Sequence, residues 1–415
     1  MTVFCANIEA AMATQKSMLN EFPWDEGYRV SGVEDALTPA LVVYPERIAS
    51  NIARTLDLLG GDANRWRVHI KTAKLDYTLR MLLERGVRTF KCATTLELLV
   101  ACRTGARDVL FAYPAVGANA RRVREIANEF PAVSISVLAE NEAQVRQWRE
   151  STIGIFLDIN PGMNRTGIEQ SHKDEVLQLV RTVREAGLEF RGLHYYDGQY
   201  GGLEQRERTA AAHAGYDRLV EVAQEIEGSG VSVPELITAG TPTLPCSLGY
   251  QGFQRKKFVH RVSPGTVVYN DATSLAQLPA GYGLQPAVLV LTRLVSRPRA
   301  GLATCDAGHK AVSADAGVPT CVVLGHAELT PLSPSEEHLP MAVVGGGTGP
   351  QVGDVLYLLP RHVCPTVNNF DCALLVGNGK IESVERVSAR GREEPLPQTR
   401  PTTPSLARRA VPEKV

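Results

Sequence analysis

The feature that most constrains the fold is an alternation of short β-rich runs with amphipathic helical stretches between residues 39 and 240. ALVVY at 40–44 precedes a stretch whose apolar residues recur at helical spacing from Ile48 to Leu59. The same order returns with RVHIK, VRTFKCAT, DVLFAY, VSISVLA, IGIFLDI, FRGLHYY and ELITAG. Strand-then-helix units of about 25 to 35 residues favour a (β/α)₈ barrel over an open doubly wound sheet.

The alternation of β-rich and helical stretches ends after about residue 275. Short apolar runs such as AVLVLTRLVS, CVVLGHAEL, DVLYLLP and CALLVG are separated there by Gly and Pro, which is typical of an all-β domain. We therefore predict an α/β chain in which a (β/α)₈ barrel is followed by a second, mostly β domain. The predicted parts are an N-terminal segment at 1–34 that packs on the β-domain, the barrel at 35–275, the β-domain at 276–393 and a disordered tail at 394–415.

Composition narrows the class of function. The 44 Lys and Arg residues nearly balance the 45 Asp and Glu residues, so no basic field gathers nucleic acid or an anionic membrane. The N-terminus lacks the pattern of a signal peptide, and no run of about 18 apolar residues predicts a membrane span. The eight cysteines are spread out without a CxxC pair, which argues against a disulfide framework or a zinc ribbon. We expect a cytoplasmic protein that acts on small molecules.

Two basic residues end the predicted strand RVHIK. His69 and Lys71 alternate along it and point to one side, at the strand end where barrel enzymes place their chemistry. A single lysine in such a place is more often a solvated charge. However, RVHIKTAK at 67–74 resembles the RPHxKTHK segment of the D-threonine aldolase and D-serine dehydratase family, whose fold is alanine racemase-like; Val68 and Ala73 depart from it. The resemblance implies that Lys71, and not Lys74, carries pyridoxal 5′-phosphate (PLP), with His69 beside it as a second catalytic residue.

Two further segments of the barrel resemble the same family. LDINPGMNRTGI at 157–168 is similar to its D-x-G-M-x-R-x-G segment, which implies that Arg165 contacts the phenolic oxygen of the cofactor. Taken alone, Arg165 would be read as a surface arginine in a loop. GLHYYDGQYG at 192–201 is similar to its Y-x-G-H segment, which makes Tyr196 a candidate for a hydrogen bond to the cofactor or its phosphate; Gln199 replaces the histidine.

Two later segments supply the remaining cofactor candidates. ITAGTPT follows a predicted strand, and the N–H groups and hydroxyls of Gly240, Thr241 and Thr243 suit a phosphate cradle, although such a loop is as often an ordinary turn. VSPGTVVYND resembles the segment that ends the barrel in this family, which implies that Tyr269 and Asp271 belong to the cofactor pocket. Ser263 aligns with the arginine that faces the pyridine nitrogen in racemases, so the partner of that nitrogen stays unassigned.

The second domain carries three segments in the order of the family: CDAGHKAVSADAGVP, SEEH and LLPRHVCPTVNNFD. In the last of these, His362 and Cys364 are two positions apart, which on an extended segment directs both side chains to one side. An isolated His-x-Cys is more often a buried histidine beside a core cysteine. An imidazole and a thiolate also suit Zn²⁺, with Mg²⁺ or Mn²⁺ as alternatives, and we predict a metal site here.

The resemblance, which covers residues 35 to 390, implies a PLP- and metal-dependent lyase of D-β-hydroxy amino acids. A dehydratase of the D-serine or D-threo-3-hydroxyaspartate type would release a 2-oxo acid and ammonia. The alternative is retro-aldol cleavage to glycine and an aldehyde. Dehydratases of the family use His-x-Cys, whereas its aldolases tend to place Asp at the second ligand, so Cys364 favours dehydration. An amino-acid racemase and a non-catalytic PLP-binding protein are less favoured alternatives.

The resemblance also implies a homodimer. In the alanine racemase-like arrangement, the β-domain of one subunit covers the barrel mouth of the other. The cover would be the 305–371 region of the partner, which would give two composite sites; whether Lys71 and the metal ligands of one site come from the same chain stays open.

Overall fold

The computed structural model describes residues 26–254, 257–344 and 349–396. Its strands are β1 (Ala40–Val43), β2 (Arg67–His69), β3 (Thr89–Cys92), β4 (Asp108–Phe111), β5 (Ser134–Ala139), β6 (Gly154–Asn160), β7 (Ile168–Glu169), β8 (Phe190–Tyr195), β9 (Glu235–Thr238), β10 (Val259–Val262), β11 (Val288–Arg299), β12 (Leu302–Cys305), β13 (Cys321–Val323), β14 (Leu329–Pro331), β15 (Leu339–Val343), β16 (Val355–Pro360), β17 (Cys372–Gly377) and β18 (Lys380–Arg386). Its α-helices are α1 (Pro45–Leu58), α2 (Asp76–Glu84), α3 (Thr95–Thr104), α4 (Gly117–Glu129), α5 (Glu142–Arg146), α6 (Lys173–Glu185), α7 (Gln205–Gly228), α8 (Leu244–Gly249), α9 (Ala272–Gln277) and α10 (Val363–Asn368).

Eight parallel strands form the barrel. They lie side by side in the order β10, β9, β8, β6, β5, β4, β3, β2, and the small strand β7 pairs with β6. A parallel bridge between Trp66 and Val262 joins the two ends of this sheet, so the barrel is nearly closed. Helices alternate with the strands around it. The predicted fold class, a (β/α)₈ barrel with a mostly β second domain, is confirmed.

The strand β1 lies in the other domain. It pairs antiparallel with β11 and parallel with β17, with Leu41 opposite Val290 on one side and Ala373 on the other. The prediction that ALVVY opens the first unit of the barrel is therefore wrong. A short buried apolar run has the same pattern in either sheet, so periodicity alone does not assign it. As a consequence, the second domain contains chain from before and after the barrel.

The second sheet runs in the order β14, β15, β12, β11, β1, β17, β18, with β16 beside β11 and β13. The segment before β1 contacts this sheet. The amide of Ser31 donates to the carbonyl of Gly379 at 2.8 Å, and the amide of Val30 donates to the hydroxyl of Tyr357 at 3.0 Å. The domain boundaries stay a prediction, and residues 1–25 and most of the predicted tail lie outside the described residues. Among the helices described, none combines the length and apolar character needed to span a bilayer.

A buried charge network fills the amino-terminal end of the barrel. The guanidinium of Arg67, at the start of β2, is fully buried and donates to Glu235 Oε1 at 2.7 Å and to Asp108 Oδ1 at 2.8 Å. Next to this network, the barrel interior holds a small apolar cluster made of Leu110, Leu138, Phe156 and Ile237. With this end filled, the carboxyl ends of the strands are the place where a ligand can enter.

Candidate active site

A cavity of about 220 Å³ lies at the carboxyl ends of the barrel strands. Its walls come from both domains and include Lys71, Tyr196 and Thr241 of the barrel with His362 and Cys364 of the second domain. A wider surface cavity of about 450 Å³ lies elsewhere, beside β17, and holds none of the residues that the sequence motifs single out. We therefore treat the smaller cavity as the candidate active site.

Of the two lysines in the segment RVHIKTAK, Lys71 is the one without an ion-pair partner among the described residues. Its side chain lines the cavity, and no described carboxylate lies within ion-pair distance of it. By contrast, Lys74 is buried and its ammonium is paired with Glu97 Oε1 at 2.6 Å. The neighbouring His69 also lines the cavity, and its Nδ1 accepts the amide of Lys71 at 3.3 Å. Burial, with the positive charges of Lys91 and Lys71, holds the pKa of His69 well below its usual value, which keeps the ring neutral and able to accept this bond.

Three cations surround the ring of Tyr196. The guanidinium carbon of Arg165 lies 4.9 Å from the ring centroid, and the ammonium nitrogens of Lys71 and Lys91 lie 5.9 and 5.8 Å from it. Arg165 itself is exposed and lies beside the cavity wall rather than in it. The Tyr196 ring also covers Gly240, where an added Cβ would lie 2.9 Å from the ring carbon Cε2. The aromatic face and the positive charge together suit a planar, anionic ligand.

Backbone N–H groups without acceptors mark a place for phosphate. Thr241, Gly265 and Thr266 line the cavity, and within the described ranges their amides donate to no acceptor. A buried N–H without a partner is costly, and several such groups together form an anion-binding nest. A side chain at Gly265 would also collide with the barrel, because its Cβ would lie 2.2 Å from the carbonyl oxygen of His69. These residues, with Lys71 beside them, fit the phosphate and aldehyde of PLP.

Gly240 and Thr243 are held by Asp197 rather than turned toward a ligand. The hydroxyl of Thr243 donates to Asp197 Oδ1 at 2.5 Å, and the amide of Gly240 donates to the same oxygen at 3.4 Å. Tyr216 donates its hydroxyl to Asp197 Oδ2 at 2.5 Å. Burial raises the pKa of Asp197, while the bonds from Thr243 and Tyr216 oppose this shift. Gly240 still lines the cavity, whereas Thr243 does not and instead fixes the loop that carries Thr241.

Tyr269 and Asp271 are two positions apart but serve different purposes. Tyr269 is fully buried outside the cavity wall, with its hydroxyl 2.8 Å from that of Thr78. Asp271 lines the cavity; its Oδ1 caps α9 through the amide of Ser274, and its Oδ2 accepts the amide of Val363 at 2.9 Å. This last bond fixes the start of α10 against the barrel and so places the two residues that flank Val363.

The predicted metal pair lies at this start of α10. His362 precedes the helix and Cys364 lies in its first turn, so the prediction of a continuous extended segment is wrong. Pro365 accounts for the difference, because proline suits the first turn of a helix. The Cys364 Sγ atom lies 3.0 Å from the hydroxyl of Thr72, the residue next to Lys71. The two side chains still line one cavity.

The charges around the pair favour a thiolate at Cys364 and a proton on His362, and a bound metal would displace that proton. Burial raises the pKa of the Cys364 thiol, but the hydrogen bond from His362 and the charge of Lys71 outweigh it and lower the pKa overall. Burial lowers the pKa of His362, but Cys364 and Asp271 raise it to about 9. A thiolate is the form of cysteine that binds metal, and Asp315 Oδ2, 2.6 Å from Nδ1 of His362, orients the ring as a supporting carboxylate does. No group of three or more His, Cys, Asp or Glu residues in the described ranges could hold an ion, so this pair offers two ligands only.

Lysine and metal pair come from the same chain. Lys71, His362 and Cys364 line one cavity of a single subunit. A single chain can therefore bring these residues to one site, and a partner that covers the barrel mouth stays a prediction. The physical reason is that β1 and the bond from Val363 to Asp271 tie the second domain to its own barrel.

Sequence reasoning missed a buried chain of three polar residues under Tyr196. Lys91 of β3 lies 3.3 Å from Nε2 of His194, and Nδ1 of His194 lies 2.7 Å from Asp158 Oδ1. All three side chains are buried. The available signal was a lysine inside the apolar run TFKC, where a charge is costly unless it has a function or a partner.

Comparison with known proteins agrees with this geometry. Residues 43–273 match the family described as "Alanine racemase, N-terminal domain", and residues 287–376 match "Putative serine dehydratase domain". The chain belongs to the D-threonine aldolase and D-serine dehydratase family. It is thus a PLP-dependent lyase with an alanine racemase-like fold.

The names of the relatives refer to two reactions, aldol cleavage and dehydration. The chain is 27% identical to D-threonine aldolase of Arthrobacter sp., over 78% of this chain and 85% of the relative. It is 27% identical to 3-hydroxy-D-aspartate aldolase of Paracoccus denitrificans (strain Pd 1222), over 86% and 92%. It is 23% identical to D-threo-3-hydroxyaspartate dehydratase of Delftia sp. (strain HT23), over 84% and 97%. The crystal structure of D-threonine aldolase from Filomicrobium marinum superimposes with a TM-score of 0.78 at 25% identity, over 86% and 97%.

Proposed function

We propose that this protein is a PLP- and metal-dependent dehydratase of D-β-hydroxy amino acids, of the D-serine or D-threo-3-hydroxyaspartate type. The products would be a 2-oxo acid and ammonia. The observation that carries the proposal is that Lys71 and the pair His362 and Cys364 line one cavity of one chain. A lysine can act at the α-carbon and a metal at the β-hydroxyl, and together they suit β-elimination.

Several residues of the site would bind the cofactor, and Lys71 would also act on the substrate. Lys71 holds the cofactor through Nζ, the amides of Thr241, Gly265 and Thr266 bind its phosphate, and Arg165 and Tyr196 lie beside its ring. When bound, PLP supplies an electron sink that weakens the bonds at Cα of the substrate. Lys71 would then be the base that takes the α-proton at Nζ.

His362 and Cys364 would hold the metal next to the β-hydroxyl, with the remaining positions open to water and substrate. A metal held there would supply Lewis acidity at the β-hydroxyl, and the proton that Lys71 takes from Cα would balance the departure of this hydroxyl as water. The soft thiolate of Cys364 favours Zn²⁺ over Mg²⁺ or Mn²⁺. The proposed phosphate and metal sites adjoin each other, because the hydroxyl of Thr266 lies 3.5 Å from Sγ of Cys364.

The cysteine is what favours dehydration over aldol cleavage. Solved structures named D-threo-3-hydroxyaspartate dehydratase include a His→Ala mutant and a Cys→Ala mutant in the metal-free form, with TM-scores of 0.71 and 0.69 to this chain at 20% identity. Cys364 and His362 are the counterparts we propose here. An aspartate at position 364 would instead suit a harder ion and the aldolases.

Retro-aldol cleavage is the second candidate. It is favoured by the 27% identity to two enzymes named aldolases and by the TM-score of 0.78 with the Filomicrobium enzyme. In that reaction the β-hydroxyl loses its proton, the bond from Cα to Cβ breaks, and glycine and an aldehyde are released. The same lysine and metal pair would serve it.

We propose in addition that the protein is a homodimer. Tyr113 and Val116, 54% and 57% exposed, follow β4 at the barrel mouth, where exposed apolar side chains suit a subunit contact. A partner at this mouth would exclude water from the cavity.

One assay separates these reactions. The purified protein is given D-serine, D-threonine and D-threo-3-hydroxyaspartate, and 2-oxo acid, ammonia, glycine and aldehyde are measured in parallel, with L-serine and the Lys71→Ala variant as controls. The proposal predicts equal amounts of 2-oxo acid and ammonia from at least one D-substrate. Glycine with aldehyde would instead support retro-aldol cleavage. Turnover of none of these D-β-hydroxy amino acids would overturn both.

A further inference from the structure

Lys91 is a buried lysine without a carboxylate partner. It lies inside β3 with a side chain only 3% exposed, and no described acid is within ion-pair distance of its ammonium. Its contact is the neutral acceptor Nε2 of His194, at 3.3 Å. The other buried lysine of this region, Lys74, has the usual arrangement, with Glu97 at 2.6 Å. Burying a charged lysine without a paired acid costs free energy, so a function or the charges of more distant groups must offset this cost.

Asp158 fixes the contact between Lys91 and His194 by bonding the other nitrogen of the histidine ring. Asp158 of β6 lies directly opposite His194 of β8 in the sheet, and its Oδ1 is 2.7 Å from Nδ1 of the ring. A carboxylate on Nδ1 holds the proton there, so Nε2 is left as the acceptor that Lys91 needs. Thr166 also hydrogen-bonds the Asp158 carboxylate. The three residues therefore form a directed chain from β6 to β8 and across the barrel to β3.

Both signs of charge face Lys91 from the surrounding elements. The positive groups are Lys71 and Arg67, and the negative groups are Asp158 and Asp197. His69 and His194 also interact with it. Burial is the main cause of the lowered pKa of Lys91, which is about 7, and the positive charge of Lys71 is the next largest cause. Lys91 thus gains or loses its charge near neutral pH.

This charge lies next to the candidate cofactor site. The Lys91 ammonium is 5.8 Å from the centroid of the Tyr196 ring, and Lys71 and Arg165 lie at 5.9 and 4.9 Å. Tyr196 and Lys71 line the cavity, whereas Lys91 lies behind the wall. The ligands proposed for the cavity carry a phosphate and a carboxylate, so a positive charge at this distance attracts them.

We propose that Lys91 is a second cation of this site, held behind Tyr196 by His194 and Asp158, and that its charge strengthens the binding of anionic ligands in the cavity. It acts through space and through Tyr196, and is therefore a positioning residue. The inference rests on the cofactor site of the proposed function, but not on which reaction follows. Loss of the Lys91 proton weakens binding, so affinity falls as the pH rises through neutrality.

Binding of pyridoxamine 5′-phosphate to the apoprotein tests this inference, because this probe has no aldehyde with which to bond Lys71. Its affinity is measured by calorimetry between about pH 6 and about pH 8, on either side of the Lys91 transition. The wild type is expected to lose affinity on the order of tenfold more than the Lys91→Arg variant, whose charge does not titrate. Lys91→Met is expected to bind weakly at both pH values. Lys74→Arg, a matched change at a buried lysine outside the cavity wall, should follow the wild type.

Circular dichroism checks that each variant is folded, and Lys91→Gln serves the same purpose if Lys91→Met is not. An affinity and a pH profile of the uncharged variant equal to those of the wild type would overturn the assignment of Lys91. A wild-type protein that fails to bind the probe at any pH would instead overturn the cofactor site, and this inference with it. The two failures are therefore distinguishable.

Discussion

Replacing Asp197 by alanine tests how the loop of the phosphate site is held. Asp197 is fully buried and accepts the hydroxyls of Thr243 and Tyr216, each at 2.5 Å, together with a longer bond from the amide of Gly240. Removing the carboxylate leaves both hydroxyls buried without this acceptor. The loop that carries Thr241 then loses its fixed conformation before the cofactor binds.

The magnitude follows from these contacts. A buried donor left without an acceptor costs about 1 to 3 kcal/mol, so the two hydroxyls together destabilise the folded protein by about 2 to 6 kcal/mol. The part of this free-energy cost that comes from Thr243 destabilises the loop that carries Thr241. If the cofactor must order this loop again, its affinity drops by about 5- to 150-fold, which corresponds to about 1 to 3 kcal/mol.

The assay titrates apoprotein with PLP and follows the visible absorbance of the bound cofactor, together with thermal unfolding of the apoprotein. Tyr216→Phe is the matched control, because it removes one bond to Asp197 without touching the loop. We expect this control to lower the melting temperature while leaving cofactor affinity close to that of the wild type. Cofactor affinity of Asp197→Ala within about twofold of the wild type, against the drop expected above, would refute the reasoning.

Three further predictions follow from the site. Lys71→Ala should lose the visible absorbance of the lysine-bound cofactor while Lys74→Arg keeps it; the reverse would mean that the wrong lysine was chosen. Mixed Lys71→Ala and His362→Ala subunits should recover no activity after proven exchange, because both groups line one cavity of one chain, and recovery would place them on different chains. Lys91→Met should raise the melting temperature of the apoprotein most below about pH 7, since the unfolded chain holds the Lys91 proton up to its usual pKa of 10.5 while the folded protein releases it near 7. This gain should shrink as the pH rises toward 10.5, and a gain that does not change with pH would contradict the shift.

Periodicity predicts the barrel because most of its strands are followed by a stretch with helical spacing, but it misses β10, which a short 3-10 helix follows. It does not assign β1, since four consecutive apolar residues satisfy a barrel and a β-domain equally. The segments that resemble the family supply Lys71, Tyr196 and Asp271 of the cavity, and the loop ITAGTPT supplies Thr241. They do not say which chain covers the barrel mouth, because that depends on how the second domain docks and not on any local motif.

Spacing along the sequence also fails where the backbone turns. Tyr269 ends a 3-10 helix while Asp271 caps the next helix, so two residues of one segment diverge into core and cavity. His362 and Cys364 show the opposite case, because a helix start brings them together where an extended segment was predicted. Lys91 was missed because its contact to His194 crosses the barrel and leaves no pattern in the sequence.

The measurement that tests the central claim most directly is the loss and return of turnover with metal, read against the cofactor spectrum. The holoenzyme is treated with a chelator, its metal content is measured, and turnover of the best D-β-hydroxy amino acid is followed before and after Zn²⁺ is added back. If the pair at His362 and Cys364 serves the substrate and not cofactor attachment, as we propose, turnover should vanish, the visible absorbance should remain, and Zn²⁺ should restore activity. Full turnover by protein shown to be free of metal would contradict the account.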